Sequence, residues 1–257
     1  MKRASARTLK SASRNSAVSK APVLLRELTA GNLLLTLNRP ESLNALSTRL
    51  ATELHVAVEE AARRDEVRAV VITGSGGKAF SAGTDLRERR ALSAEGKWAQ
   101  SRALWNTTEA IRNCPKPVVA AITGWCLGGG FELALSCDIR IAGESARFGW
   151  PEMTLGAYPG GGAAVMLPRI VGIAKAKEML FTARRISGQE ALSCGLVEGL
   201  AGDSQLVARA RQVADSVHAI PAELIGSMKQ ALGESADLPW AQALELELKR
   251  THNGIHG

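Results

Sequence analysis

The sequence predicts an α/β fold: a coil of repeated ββα units followed by a helical C-terminal section. Three features predict it. Val67–Thr73 and Val118–Ile122 are short apolar, β-rich runs that end at glycine loops, as strands buried on both faces do. Ile72-Thr73-Gly74 is echoed by Ile122-Thr123-Gly124, so strand, loop and helix return as successive turns, which favours a repeat over a doubly wound nucleotide fold. From about Ser187 the strand signals fade and helical periodicity takes over.

The elements follow in order. Ordered structure is expected from near Pro22, with strands at Val23–Leu28 and Asn32–Leu37 joined through Ala30-Gly31. Leu46, Leu50, Leu54, Ala57, Val58 and Ala61 recur at helical spacing, and Ser47 is placed to cap that helix. After the two apolar runs, Phe131–Leu135 opens a helix and Ile139–Ala142 supplies another strand. Ser187-Gly188-Gln189-Glu190 has the pattern of a capping box and starts a helix through Leu192. Apolar periodicity then covers Leu206–Val217, Ala222–Leu232 and Trp240–Leu248. The organisation predicted is a basic tail over 1–20, a core over 21–200, and a helical section over 201–257 packed on the core or on a neighbouring subunit.

Composition removes several function classes. With 46% hydrophobic residues over 257 positions, the chain can bury a substantial core. No apolar run approaches the roughly 18–20 residues that span a bilayer, so no membrane partner is expected. Cys114, Cys126, Cys137 and Cys194 lack CxxC spacing, and the four histidines lie in no HExxH pattern. Reduced thiols and no metal site are the reading; His55, within an amphipathic helix, reads as a surface or structurally satisfied histidine. The net charge of +7 is concentrated: Lys2, Arg3, Arg7, Lys10, Arg14 and Lys20 leave +1 on the rest. That tail has no apolar core of a secretory signal. Its composition suits a disordered bacterial extension, hence a cytoplasmic protein, or a mitochondrial transit peptide, hence the matrix. No aromatics interleave its basic residues, so nucleic acid is not expected as a partner.

Three glycine-rich loops stand out, Gly74–Gly77, Gly128–Gly130 and Gly160–Gly162. No GK[ST] follows any of them, none is a GxGxxG after a strand, and no GxSxG elbow is present. The second loop joins a strand to a helix start, where backbone amides are unsatisfied and carry the positive end of the helix dipole. Glycines there let a ligand oxygen approach the backbone, which suits an anion formed during reaction or a permanent phosphate. Glu132 lies just past this loop, and Glu152 follows in Phe148-Gly149-Trp150-Pro151-Glu152. Two carboxylates beside one glycine-lined pocket can divide general-acid and general-base roles, whereas either alone reads as a solvated surface acid.

Four segments resemble the crotonase (enoyl-CoA hydratase/isomerase) family. Ala79-Phe80-Ser81-Ala82-Gly83-Thr84-Asp85-Leu86 is similar to its first oxyanion segment, and Gly124–Asp138 to its second. Phe148–Gly162 resembles the block holding its second catalytic acid; Asn38-Arg39-Pro40-Glu41 with Leu43-Asn44-Ala45-Leu46 resembles its CoA-contacting segment. The resemblance covers about 23–250 and implies a crotonase-like spiral. It implies oxyanion-hole donors at the amides of Thr84 and Gly129, catalytic roles for Glu132 and Glu152, and CoA-ester contacts from Ser42, Leu43, Ala45, Ala82, Asp85 and Leu86. Trp150 and Gly160 are candidates to line the acyl pocket.

The implied activity is hydration of a 2-enoyl-CoA thioester, with no cofactor beyond the CoA of the substrate, in a homotrimer or homohexamer. A Δ3-Δ2 enoyl-CoA isomerase or another acyl-CoA hydro-lyase is the alternative, and relatives that only shift double bonds generally lack the acid at Glu132. A non-catalytic, RNA-associated binding protein is the rival from another class. Three departures from the family pattern are visible. Ala163-Ala164-Val165-Met166 replaces a usual Gly-Thr-Gln-Arg type sequence, Trp150 is bulkier than many counterparts, and Gly257 arrives before a further terminal helix.

Overall fold

The computed structural model describes residues 21–256, with side chains as far as 252, so the basic tail over 1–20 lies outside the described residues. The chain opens with a hairpin, β1 (Leu24–Thr29) and β2 (Asn32–Leu37), turning at Ala30 and Gly31 with φ of 48° and 83°. Helix α1 (Thr48–Arg63) starts where Ser47 accepts a hydrogen bond from the Leu50 amide, and it buries Leu50, Leu54, Ala57, Val58 and Ala61. All five of these apolar positions lie on the predicted stripe.

Three turns of a coil follow. In each, a strand of a large sheet is succeeded by a short strand of a second sheet and then by helix. The first turn is β3 (Ala69–Gly74), β4 (Ala79–Ser81), α2 (Leu86–Arg90) and α3 (Ala94–Asn113). The second is β5 (Val118–Ile122), β6 (Trp125–Leu127) and α4 (Gly129–Ser136). The third is β7 (Ile139–Gly143), β8 (Arg147–Gly149), a 3₁₀ turn at Pro151–Leu155, and α5 (Ala163–Val171). After α6 (Ile173–Thr182), β9 (Ile186–Ser187), α7 (Gly188–Ser193) and β10 (Gly199–Ala201), the chain is helical: α8 (Leu206–Ser216), α9 (Ala222–Ser235) and α10 (Trp240–His256).

The large sheet runs β1-β2-β3-β5-β7-β10 and the second β4-β6-β8-β9. Successive coil strands pair in parallel in both sheets. The predicted repeat is therefore present, with a third turn that the echo did not reveal.

Alternation explains why the strands read as continuous apolar runs. Val70, Ile72, Val118, Ala120 and Ile122 face the main core, while Ala69, Val71, Val119 and Ala121 face the other way. That second face is covered by Leu206, Ala210 and Ala214 of α8. Helix α8 therefore belongs to the core, and the predicted division at residue 200 falls inside it. Three-residue β4, β6 and β8 are too short to carry a period, so the stretch Gly124–Gly130 reads in the sequence as one turn. The Ser187 pattern is half a capping box: Ser187 Oγ accepts from the Glu190 amide, but the Glu190 carboxylate instead binds Lys175 and Arg184.

Candidate active site

The site forms where the loops after β4, β6 and β8 meet. Gly124 enters β6 with φ of 57°, and a Cβ there would lie 2.0 Å from the Lys78 carbonyl oxygen. Only glycine allows this backbone contact. Gly128 then takes φ 50°, ψ −126°, at the N-cap of α4. Gly129 is the first residue of α4, so its amide has no intrahelical acceptor, and none is present among the described residues.

Facing this loop is the segment after β4. Its amides are occupied one by one: Ala82 donates to Leu43 O at 2.9 Å, Gly83 to Ser81 Oγ at 3.2 Å, and Asp85 to Leu46 O at 3.0 Å. The Thr84 amide, between them, has no acceptor among the described residues. The two segments touch. A Cβ on Gly83 would lie 3.1 Å from Gly129 N, and one on Gly129 would lie 3.6 Å from Thr84 N.

Both glutamates border the same loop. Glu132, in the first turn of α4, is 2% exposed, and its Oε1 accepts from the amides of Gly161 at 2.8 Å and Ala163 at 3.3 Å. Glu152 sits in the 3₁₀ turn with its carboxylate over Gly128, where a Cβ would come within 2.6 Å of Oε1. Burial pushes the Glu132 carboxyl up to about 7; the two amide donors pull the other way, and the Glu152 charge adds to the rise. Burial also raises the Glu152 carboxyl. A buried and a half-buried carboxyl thus border the loop that carries an unengaged amide. Such a set can move protons at one carbon skeleton while stabilising negative charge that develops on an oxygen.

The remaining predicted residues separate into two groups. Thr84, Gly129, Glu132 and Glu152 come together as expected. Ser42, Leu43 and Ala45 lie in the 3₁₀ turn and loop after β2, half-buried, with Leu43 O bound by the Ala82 amide. Leu86 is exposed at the start of α2.

Asp85 departs from its expected role. Its side chain faces inward, pairing with Arg39 at 2.8 Å and capping α2 through the amides of Arg87 and Glu88. Trp150 does not line a pocket either: it is fully buried, stacked on Phe131 with ring centroids 4.2 Å apart, because the strand before it turns its side chain into the core. Gly160 is exposed; its neighbour Gly161 is the one that meets Glu132, since a Cβ there would lie 2.3 Å from Oε2. The roles of Gly161 and Ala163 were not legible, because both act through backbone amides. The unusual Ala163 side chain consequently leaves that contact unchanged.

Coil, paired sheets and site together define a crotonase-type spiral. The family model for enoyl-CoA hydratase/isomerase matches residues 27–256. The chain is 40% identical to the short-chain-enoyl-CoA hydratase of Clostridium acetobutylicum over 82% of each protein. The solved enoyl-CoA hydratase of Bacillus anthracis superposes with a TM-score of 0.89 at 35% identity, covering 92% of both chains. An enoyl-CoA hydratase from Polaromonas sp. JS666 gives 0.86 at 32% identity, covering 91% of both. The chain belongs to the enoyl-CoA hydratase/isomerase family.

Proposed function

We propose that this protein is an enoyl-CoA hydratase, adding water reversibly across the 2,3 double bond of a 2-enoyl-CoA thioester. The observation that carries the reading is that buried Glu132 and half-buried Glu152 both border the Gly128-Gly129 loop, where the Thr84 and Gly129 amides are unengaged among the described residues. The thioester oxygen binds between those amides. Glu132 takes a proton from water as the oxygen of that water bonds to C3. The C2–C3 π pair shifts toward C1, giving an enolate whose charge rests on the thioester oxygen. Glu152 then delivers its proton to C2, and solvent exchange restores both carboxyls.

Local physics supports this division. The Gly161 and Ala163 amides favour the ionised form of Glu132, which a base requires, and its carboxyl near 7 is matched to neutral pH. Glu152, its carboxyl raised by burial against the pull of its own amide, is the second carboxyl at the loop and is left to supply the proton to C2. Loss of one oxyanion donor typically costs about 10²–10³-fold in rate. The reaction as drawn uses no cofactor and no metal.

A turnover screen tests the reading, using 2-enoyl and 3-enoyl CoA esters of graded length and branching. Formation of 3-hydroxyacyl product from the 2-enoyl series is expected. Conversion of 3-enoyl to 2-enoyl esters with no hydration would instead make it an isomerase.

A further inference from the structure

We propose that Asn44 is a positioning residue for the oxyanion hole, fixing the direction of the Thr84 N–H; this rests on reading Thr84 and Gly129 as the amides that bind the carbonyl. A trans peptide is planar, with its C=O and the next N–H pointing in opposite directions. Whatever holds the Gly83 carbonyl therefore aims the Thr84 amide. The Leu46 amide holds it, at 2.7 Å, so the Thr84 N–H points away from 43–46. The Gly128-Gly129 loop lies against the same Gly83-Thr84 backbone.

Asn44 is what holds that segment in place. It is fully buried and left-handed, with φ of 54°, a conformation Asn tolerates better than most residues. Its Nδ2 donates to Ala79 O at 2.8 Å and Ser75 O at 3.0 Å, and its Oδ1 accepts from the Arg39 amide at 3.0 Å. One side chain thereby ties the start of the 39–46 loop to both ends of the β3–β4 connection. Its own carbonyl accepts from Ser81 Oγ at 2.8 Å, and that oxygen accepts from the Gly83 amide at 3.2 Å. Gly74 leaves the room: a Cβ there would lie 2.7 Å from Asn44 Nδ2. The peptide before Thr84 is thus held from the Gly83 amide, through Asn44 and Ser81, and from the Gly83 carbonyl, through Leu46.

The test compares Asn44→Gly and Asn44→Asp with wild type. Glycine relieves the left-handed backbone while deleting the side chain, so any remaining loss belongs to the missing bonds. Asp keeps the acceptor for Arg39 N and lacks both donors. The readouts are kcat, KM and the absorption of a bound conjugated enoyl-CoA chromophore, whose band moves to longer wavelength when its carbonyl is polarised. Folding is checked by circular dichroism and melting, and whichever variant folds carries the comparison.

Both variants should lose most of the red shift. Both should lower kcat by about tenfold or more, toward the 10²–10³-fold of a lost donor, with KM changed less than about threefold. A folded variant with wild-type kcat and red shift overturns the inference, as does one that weakens binding while the shift of the bound chromophore persists. Wild-type protein with neither turnover nor red shift would instead overturn the functional reading itself.

Discussion

Glu132 Oε1 accepts a hydrogen bond from the Gly161 amide at 2.8 Å, across 29 residues of chain and between two separate turns of the coil. The contact holds a buried carboxylate in its ionisable form without a countercharge. It also fixes which oxygen is occupied, leaving Oε2 as the atom that a Cβ on Gly161 would strike.

Replacing either carboxyl should therefore stop chemistry more than binding. Glu132→Gln and Glu152→Gln are each expected to lower kcat by at least about 10²-fold, the usual scale of acid–base contributions. Isothermal titration with a non-reactive CoA thioester should show affinity broadly retained. Near-wild-type hydration by either variant would exclude the two-carboxyl mechanism.

The same Glu132→Gln change should stabilise the fold at alkaline pH. The folded carboxyl titrates at about 7 against an ordinary 4.5, so the group favours folding below pH 4.5 and progressively disfavours it as the pH rises to 7. At about 1.4 kcal/mol per pKa unit the cost above pH 7 is about 3 kcal/mol. A Gln Oε1 can still accept both amides. Urea denaturation should show the variant ahead of wild type at pH 8, with the gap closing toward pH 4.5; a gap independent of pH would count against a raised carboxyl.

The rate should show the same group. With Glu132 as the base, kcat/KM is expected to fall as the pH drops through about 7, because the protonated carboxyl cannot accept a proton from water. A profile flat down to pH 5 would remove Glu132 from that role.

Thr84 should tolerate loss of its side chain and not of its amide. Thr84→Ala is expected to change kcat less than a few-fold, whereas Thr84→Pro removes the donor and should abolish turnover. A folded, active Pro variant, verified by circular dichroism, would clear that amide of any part in catalysis.

Gly128 should prove as sensitive as the glutamates. Gly128→Ala sets a Cβ within 2.6 Å of Glu152 Oε1 in a backbone conformation that L residues rarely adopt. Turnover should drop sharply with the oligomeric state unchanged, and wild-type kcat would contradict the placement of Glu152 over the loop.

Much of this was legible in the residues. Amphipathic α1 and the buried β3 and β5 announce themselves because burial imposes a period on the side chains. The meeting of the proposed catalytic residues was legible through Glu132, Glu152 and the glycines packed against their carboxylates. What stayed hidden acts through main chain or through distance. Gly161 and Ala163 contribute only N–H groups, and nothing in the local sequence of Trp150 says which way a residue after a three-residue strand will turn. Asp85 looks like a ligand contact until Arg39 is found at 2.8 Å, 46 positions away in the chain.

The coil places the Thr84 and Gly129 amides in consecutive turns, brought side by side only where the strands before them, β4 and β6, pair. On the proposed reading neither turn contains the oxyanion hole; it is a property of their seam. The proposed activity would thus report on long-range folding: a chain stalled after its first turn can carry every residue of the Thr84 segment and still lack the second donor. Two fragments divided in the linker between α2 and α3 would each be inert, and would regain turnover only by reassembling that seam.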